Sequence, residues 1–242
     1  PRGSRPLADD TLAFLPADSV VAARAGLNRF VWNLRYPGTH EVKGVVNDEG
    51  STSGPVASPG TYTVRLTVDG KPYDQTVVVR PDPRFRATQA DYDAQLALAL
   101  DVQRTTNDLS AAVDRILDLE HQIDERVEHA KRQSYASRVT GAATPLRVKL
   151  EAIRDSLVEI HSHADQITLH YPIRLYNMLL SLADMVQSRE GAPTKQQGEV
   201  YRDIASQVER HLAQLRTLES TEILAFNRMM RELDVPAVVT GK

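Results

Sequence analysis

Alternation of period two before Arg86, a period near three and a half after it, and a composition break between them predict an α+β chain. A small β-sandwich is expected over roughly residues 5–84 and an antiparallel four-helix bundle over roughly 87–236, joined by RPDPRF. Eight of the twelve glycines and nine of the thirteen prolines lie before Arg86, so turn formers crowd the half that reads as strands. At 242 residues the chain has room for one core or two.

The first strand is read from NRFVWNLRY. Phe30, Trp32, Leu34 and Tyr36 fall on one face and Arg29, Val31, Asn33 and Arg35 on the other, which puts the only tryptophan inside the sandwich. Asn28, Arg29, Asn33 and Arg35 are expected at the interface with the helices, where Arg stems cover apolar surface and guanidinium groups meet carboxylates. Residues 36–60 are rich in Pro and Gly and read as a long excursion with at most a short strand around Val42–Val46. In YTVRLTV, Tyr62, Val64, Leu66 and Val68 share a face; the Asp69–Gly70 turn and the returning YDQTVVV complete a β-hairpin.

Four helices follow. The first opens at Thr88 with Asp91 three residues on, and carries Tyr92, Leu96, Ala99, Thr106, Leu109, Val113, Ile116, Ile123 and Val127 before ending ahead of Gly141. The second is expected to start at Thr144, with Pro145 at the first helical position, and to run a seam from Leu146, Leu150, Ile153 and Leu157 on through Ile160, Ala164 and Ile167. The third starts near YPIRL, with Ile173, Tyr176, Leu179, Ala183 and Val186, and stops at EGAP. The fourth begins with a capping box from Thr194 to Gln197, and its seam reads Tyr201, Ile204, Val208, Leu215, Leu218, Ala225, Met229 and Leu233 before Pro236.

Composition narrows the function. Lys plus Arg (29) against Asp plus Glu (32) gives a net charge of −3 without a basic run, which argues against nucleic acid. No apolar run is long enough to span a bilayer, and no signal pattern opens the chain. The absence of cysteine excludes disulfides, thiolate metal sites and a Cys nucleophile. The opening PRGS reads as the remnant of a cleaved purification tag and is set aside.

Chemistry is sparse in the pattern. Histidines are densest in HSHAD, where His161 and Asp165 stand at i, i+4; with His170 they form a weak candidate metal site, against the plainer reading of solvent-facing histidines beside a helix seam. His121 and His129 lie in a charged stretch with Glu120, Asp124, Glu128, Arg126 and Lys131 that fits surface ion pairs. There is no Glu-x-x-His, Gly-x-Ser-x-Gly, phosphate-cradling loop or dinucleotide fingerprint, so no catalytic residue and no cofactor are expected. Arg35, Tyr36 and His40, at the start of the 36–60 loop, are the candidate binding residues for a glycan or peptide.

The stretches AGLNRFVWNLRYPG, PGTYTVRLTVDGK, RPDPR and YPIRLYNMLLSLADMVQSREGAPT resemble the C-terminal region of large bacterial proteins with neuraminidase-type (BNR) repeats and a sortilin-like β-propeller, often described as glycosyl hydrolases. The resemblance covers roughly residues 20–240. It implies an immunoglobulin-like (Ig-like) sandwich and a helical segment behind a propeller that holds any catalytic site. No propeller repeat is present, so that activity attaches to no residue here.

The fold class so implied is α+β, a small Ig-like β-sandwich followed by an antiparallel four-helix bundle. Four or five clear strands stand against the usual seven or so, so the sandwich is expected to be incomplete, with an open edge covered by the helices or a second copy. The function expected is a non-catalytic C-terminal interaction or assembly module of a larger exported propeller protein, periplasmic or extracellular. Its partners would be the parent propeller or another protein, with self-association compatible. The alternatives are a glycan- or peptide-binding module using the 36–60 loop and a metal-dependent enzyme with its site in the helices.

Overall fold

The computed structural model describes residues 25–162, apart from 43, 46 and 48, and residues 170–240. It is 56% helix and 10% strand. The expected Ig-like sandwich is corrected. The described residues hold a single two-stranded antiparallel sheet, β1 (Gly60–Val68) paired with β2 (Lys71–Val79), and the rest of the regular structure is helical: α1 (Gln89–Ala130), α2 (Ala136–Leu157), α3 (Leu175–Gln187), α4 (Lys195–Leu218) and α5 (Leu224–Glu232).

Local chemistry explains the missing strands. The Asn33 side chain accepts a hydrogen bond from the Arg35 N–H at 3.0 Å, and Leu34 takes φ 58°, so the alternating NRFVWNLRY run is bent at its centre. Only one isolated bridge, Arg35 to Val56, remains of it. Near Val42, a turn closed by the Val45 N–H on the Val42 carbonyl and Gly44 at φ 84° stand in place of the short strand. Val46 lies outside the described residues, as do residues 1–24.

The helix starts follow side-chain caps. Thr88 accepts from the Asp91 N–H while the Asp91 carboxylate accepts from the Thr88 N–H, and Thr194 and Gln197 make the same reciprocal pair. α2 departs from expectation at both ends. It begins at Ala136, so Pro145 lies inside it, and Thr144 turns its hydroxyl back to the Thr140 carbonyl at 2.9 Å. It stops at Leu157, and residues 158–162 are not helical, so Ile160 leaves the expected seam; Ala164 and Ile167 lie outside the described residues.

The helices do not stand as four columns. α2 runs antiparallel along the C-terminal half of α1, with Arg147 paired to Asp124 and Arg154 to Glu120. α3 runs antiparallel along the N-terminal half, where the Gln95 amide donates to the Val186 carbonyl at 2.7 Å. α4 and α5 ascend beside α1, with Tyr201 on Thr105 and Arg115 on Glu219. The architecture is therefore three columns, with α2 and α3 end to end in one of them. All three enclose a continuous core that includes Leu109, Ile116, Leu150, Leu179, Leu180 and Met230.

α4 and α5 are one path interrupted by a π-helical turn, Glu219–Ile223. The turn inserts one residue, so the buried positions after Leu218 are Ile223, Phe226 and Met230, one step out of phase with the expected Ala225, Met229 and Leu233. At the far end Asp234 takes φ 56°, its N–H reaches the Arg231 carbonyl and the Val235 N–H the Met230 carbonyl, closing the helix in a Schellman turn. Beyond it, the Asn227 amide both donates to and accepts from the Val238 main chain, at 2.8 and 2.6 Å, which lays Val238 into the core.

At the level where α2 ends, charge is buried. Arg154, 4% exposed, donates to Glu120 at 2.5 Å and also meets Glu151 and Asp155. Glu159, 2% exposed, accepts from the His161 N–H at 2.6 Å and faces Arg174 at 3.7 Å. Burial lifts the Glu120 carboxyl above the ordinary carboxylate range, opposed by Arg154.

A carboxyl whose pKa is higher in the folded than in the unfolded chain favours the fold fully below the unfolded value, and that contribution is lost as pH rises through the folded value. Glu120→Gln is therefore expected to flatten the fall of stability from the ordinary carboxylate value upward, read from urea melts across pH. Arg154→Met alone should destabilise by about 3 kcal/mol, whereas Glu120→Leu with Arg154→Met should recover that loss, because only the single change leaves a buried charge unpaired. Pro145→Ala should stabilise by about 1–3 kcal/mol, since it restores an interior helical N–H and removes the ring from the Gly141 carbonyl.

Candidate functional site

The 36–60 loop is docked rather than free. The Arg35 guanidinium donates to the Gly54 carbonyl at 2.8 Å and reaches Gln187 of α3 at 3.5 Å. The Tyr36 N–H donates to the Pro55 carbonyl, and a side chain at Gly54 would strike the Tyr36 and Pro37 carbonyls. His40 contacts Asp114 through Nε2 at 2.6 Å while its N–H donates to Asn107 at 2.8 Å. Gly50, at φ 80°, lies against the backbone of Leu180, where only a residue without a Cβ fits. Arg35 and His40 thus hold the loop against α1 and α3. Of the four residues expected at the helix interface, Arg35 makes that contact; Arg29 and Asn33 are exposed.

The histidine candidates are only partly placed. His161 is exposed and stands 3.5 Å from Asp155, and His170 is exposed. Asp165 lies outside the described residues, and among the described residues no group of three or more His, Asp or Glu is gathered to hold a metal ion. No described helix is long and apolar enough to cross a membrane.

Trp32 is not inside a sandwich. Its ring stands edge-on to Tyr62 with centroids 5.2 Å apart, and its indole N–H donates to the Arg35 carbonyl at 3.2 Å. Phe30 and Leu34 are exposed. The aromatic pair ties the loop to the base of the hairpin, where the Tyr62 hydroxyl donates to the Ser58 carbonyl at 2.6 Å.

The hairpin itself stands clear of the helices. Its register opposes Tyr62 to Val77, Leu66 to Tyr73 and Val68 to Lys71, which gathers Tyr62, Val64, Leu66, Tyr73 and Val77 on one face. The opposite face has the Arg65–Asp74 pair at 2.8 Å and Thr63 beside Thr76. On the apolar face, Val64 is 45%, Leu66 48% and Tyr73 57% exposed. Among the described residues neither edge of the ladder is paired, and that of β2 is interrupted at Pro72, which has no N–H. This is the feature periodicity misplaces: alternation identifies the apolar face but carries no information about whether anything covers it.

A second feature lies between loop and helices. A cavity of about 460 Å³ opens where Val56–Pro59, the Arg80–Pro83 linker, the start of α1 and the end of α3 meet. Its walls are apolar at Val79 and Leu96, and Tyr92, Arg80, Arg189 and Glu190 supply polar groups. A wider groove of about 700 Å³ between α2 and α4 is bordered by the Lys149–Glu222 pair, which meets at 2.6 Å.

Compared with known proteins, the chain matches no family model, no curated protein and no solved structure.

Because Leu66 is exposed and Leu109 is fully buried, the two should respond differently to substitution. Leu66→Asp is expected to shift stability by no more than about 0.5 kcal/mol, whereas Leu109→Ala should cost about 2–5 kcal/mol in the same chemical melt.

Proposed function

We propose that this chain is a non-catalytic interaction module, the C-terminal region of a larger exported β-propeller protein. The observation that carries the reading is the exposed apolar face of the hairpin beyond Tyr62, at Val64, Leu66, Tyr73 and Val77, beside two strand edges that are unpaired among the described residues. A two-stranded hairpin is marginal by itself in water, and contiguous exposed apolar surface marks contact with another polypeptide. The resemblance of the loop, hairpin and α3 stretches to the tails of propeller proteins supports the choice of parent. On this reading the three helical columns are a stem, and the hairpin is the part that meets the propeller or another protein partner.

An immunoblot of source-organism fractions, with an antibody against this chain, tests the proposal. The expected band lies far above the 26.9 kDa of the present polypeptide and in an exported fraction. A band near 26.9 kDa would remove the parent propeller from the reading.

A further inference from the structure

We propose that the outer edge of β1 is a self-complementary docking edge whose partner is β1 of a second copy of this chain, paired antiparallel about Val64 into a four-stranded sheet. This pairing rests on the reading of the hairpin as the contact element and gives it a partner and a register.

The hairpin turn fixes which backbone groups point outward. Asp69 and Gly70 both take positive φ, 48° and 78°, in a two-residue loop, the type I′ geometry that makes Val68 and Lys71 a hydrogen-bonded pair. Hydrogen-bonded and non-hydrogen-bonded pairs alternate from there. Thr61, Thr63, Arg65 and Thr67 therefore turn their N–H and C=O groups away from β2, and Pro72, Asp74, Thr76 and Val78 are the outward positions of β2. The two edges are unequal: every outward position of β1 has an N–H to donate, whereas β2 lacks one at Pro72. Among the described residues no strand meets either edge.

β1 also fits its own copy. Antiparallel pairing about Val64 opposes Gly60 to the second copy's Val68, Thr61 to its Thr67, Tyr62 to its Leu66 and Thr63 to its Arg65, so all nine residues of the strand overlap. About eight main-chain hydrogen bonds result, within the usual range for a specific interface. On the apolar face Val64 meets Val64 and Tyr62 meets Leu66, as apolar cross-strand pairs.

Charge and length select this register. About Val64, each Arg65 faces a threonine and keeps its own Asp74, held by two hydrogen bonds of 2.8 Å. A centre at Arg65 would oppose two guanidinium groups, and a centre at Thr63 would leave Thr67 and Val68 unpaired. Pro72 then closes the assembly. Both outer edges of the joined sheet are β2, where a further strand would lose a bond, so two copies pair and do not continue into a fibre. Four strands also exceed the minimum for a sheet stable in water, which two do not reach. The joined apolar face is left for the proposed parent.

Sedimentation equilibrium of the intact chain up to about 0.5 mM tests the pairing, with a mass rising towards twice 26.9 kDa as the expected result. Thr63→Pro removes an outward N–H from β1 and should weaken association at least about tenfold. Thr76→Pro, directly opposite, removes the same group from the outer edge of β2 and should leave the mass unchanged. The two prolines burden the same rung, so damage to the hairpin itself would appear in both. A second pair of variants needs no proline. The chain has no cysteine, and Val64 would stand about 4.5 Å from its counterpart across the two-fold axis, within the span of a disulfide. Val64→Cys should therefore form a covalent dimer under mild oxidation, and Gln75→Cys, its neighbour on β2, should not. A chain that stays monomeric at that concentration, association that Thr63→Pro leaves unchanged or that both prolines abolish, or cross-linking equal in Val64→Cys and Gln75→Cys would overturn the proposal. None of these results alters the mass of the native polypeptide, by which the parent protein is tested, so the two readings fail separately.

Discussion

The fold depends on one continuous apolar stripe. α1 is 42 residues long, roughly 63 Å at 1.5 Å per residue, and its buried side runs from Tyr92 through Val102, Leu109, Val113, Ile116 and Ile123 to Ala130. A stripe of that length must be covered from end to end, because an uncovered half would leave apolar surface in water at about 25 cal/mol per Å². α4 and α5 together match it in length. α2 and α3 do not separately, and they cover it in succession, one half each. The three-column shape is thus a consequence of matching lengths along a single helix.

Where α2 gives way to α3, the chain leaves helical geometry inside the protein, and its polar groups must be satisfied there. Glu159 accepting from the His161 N–H, with Arg174 opposite, meets that need on one side. Arg154 with Glu120, Glu151 and Asp155 occupies the adjoining level. Such a cluster fixes the position of the break more than it strengthens the fold, since the desolvation of Glu120 and Arg154 offsets much of their attraction. The π turn in the α4–α5 path has a similar role, since one extra residue re-aims Ile223, Phe226 and Met230 into the core after Leu218.

The loop and the hairpin divide the remaining work. The loop is fastened to α1 and α3 through Arg35, His40 and the close approach of Gly50 to Leu180, and in docking it walls off the cavity at Tyr92. Among the described residues the hairpin is fastened at its base, through Trp32, Tyr62 and Ser58. One element is therefore part of the body and the other projects from it, although both were written in the same alternating, Gly- and Pro-punctuated style.

The capping boxes at Thr88 and Thr194, the Asp69–Gly70 hairpin turn and the apolar positions of α1 were determined by the sequence alone, because each depends on residues within a few positions of one another. The alternation of NRFVWNLRY points to a sandwich strand that does not form, because Asn33 and Leu34 end the run by a local turn that periodicity does not register. Arg35 is legible in the sequence as a residue facing the helices, whereas His40 is not legible as a fastener, and the partners of both, Gln187, Asn107 and Asp114, lie far along the chain. In the sequence Tyr92 is marked only as an apolar position of α1. Only the tertiary structure decided that it would line a cavity beside Glu190, that α2 and α3 would share a column and that the hairpin face beyond Tyr62 would stay exposed. Each of those outcomes depends on what arrives from distant segments to fill space and satisfy hydrogen bonds, and no window of neighbouring residues contains that information.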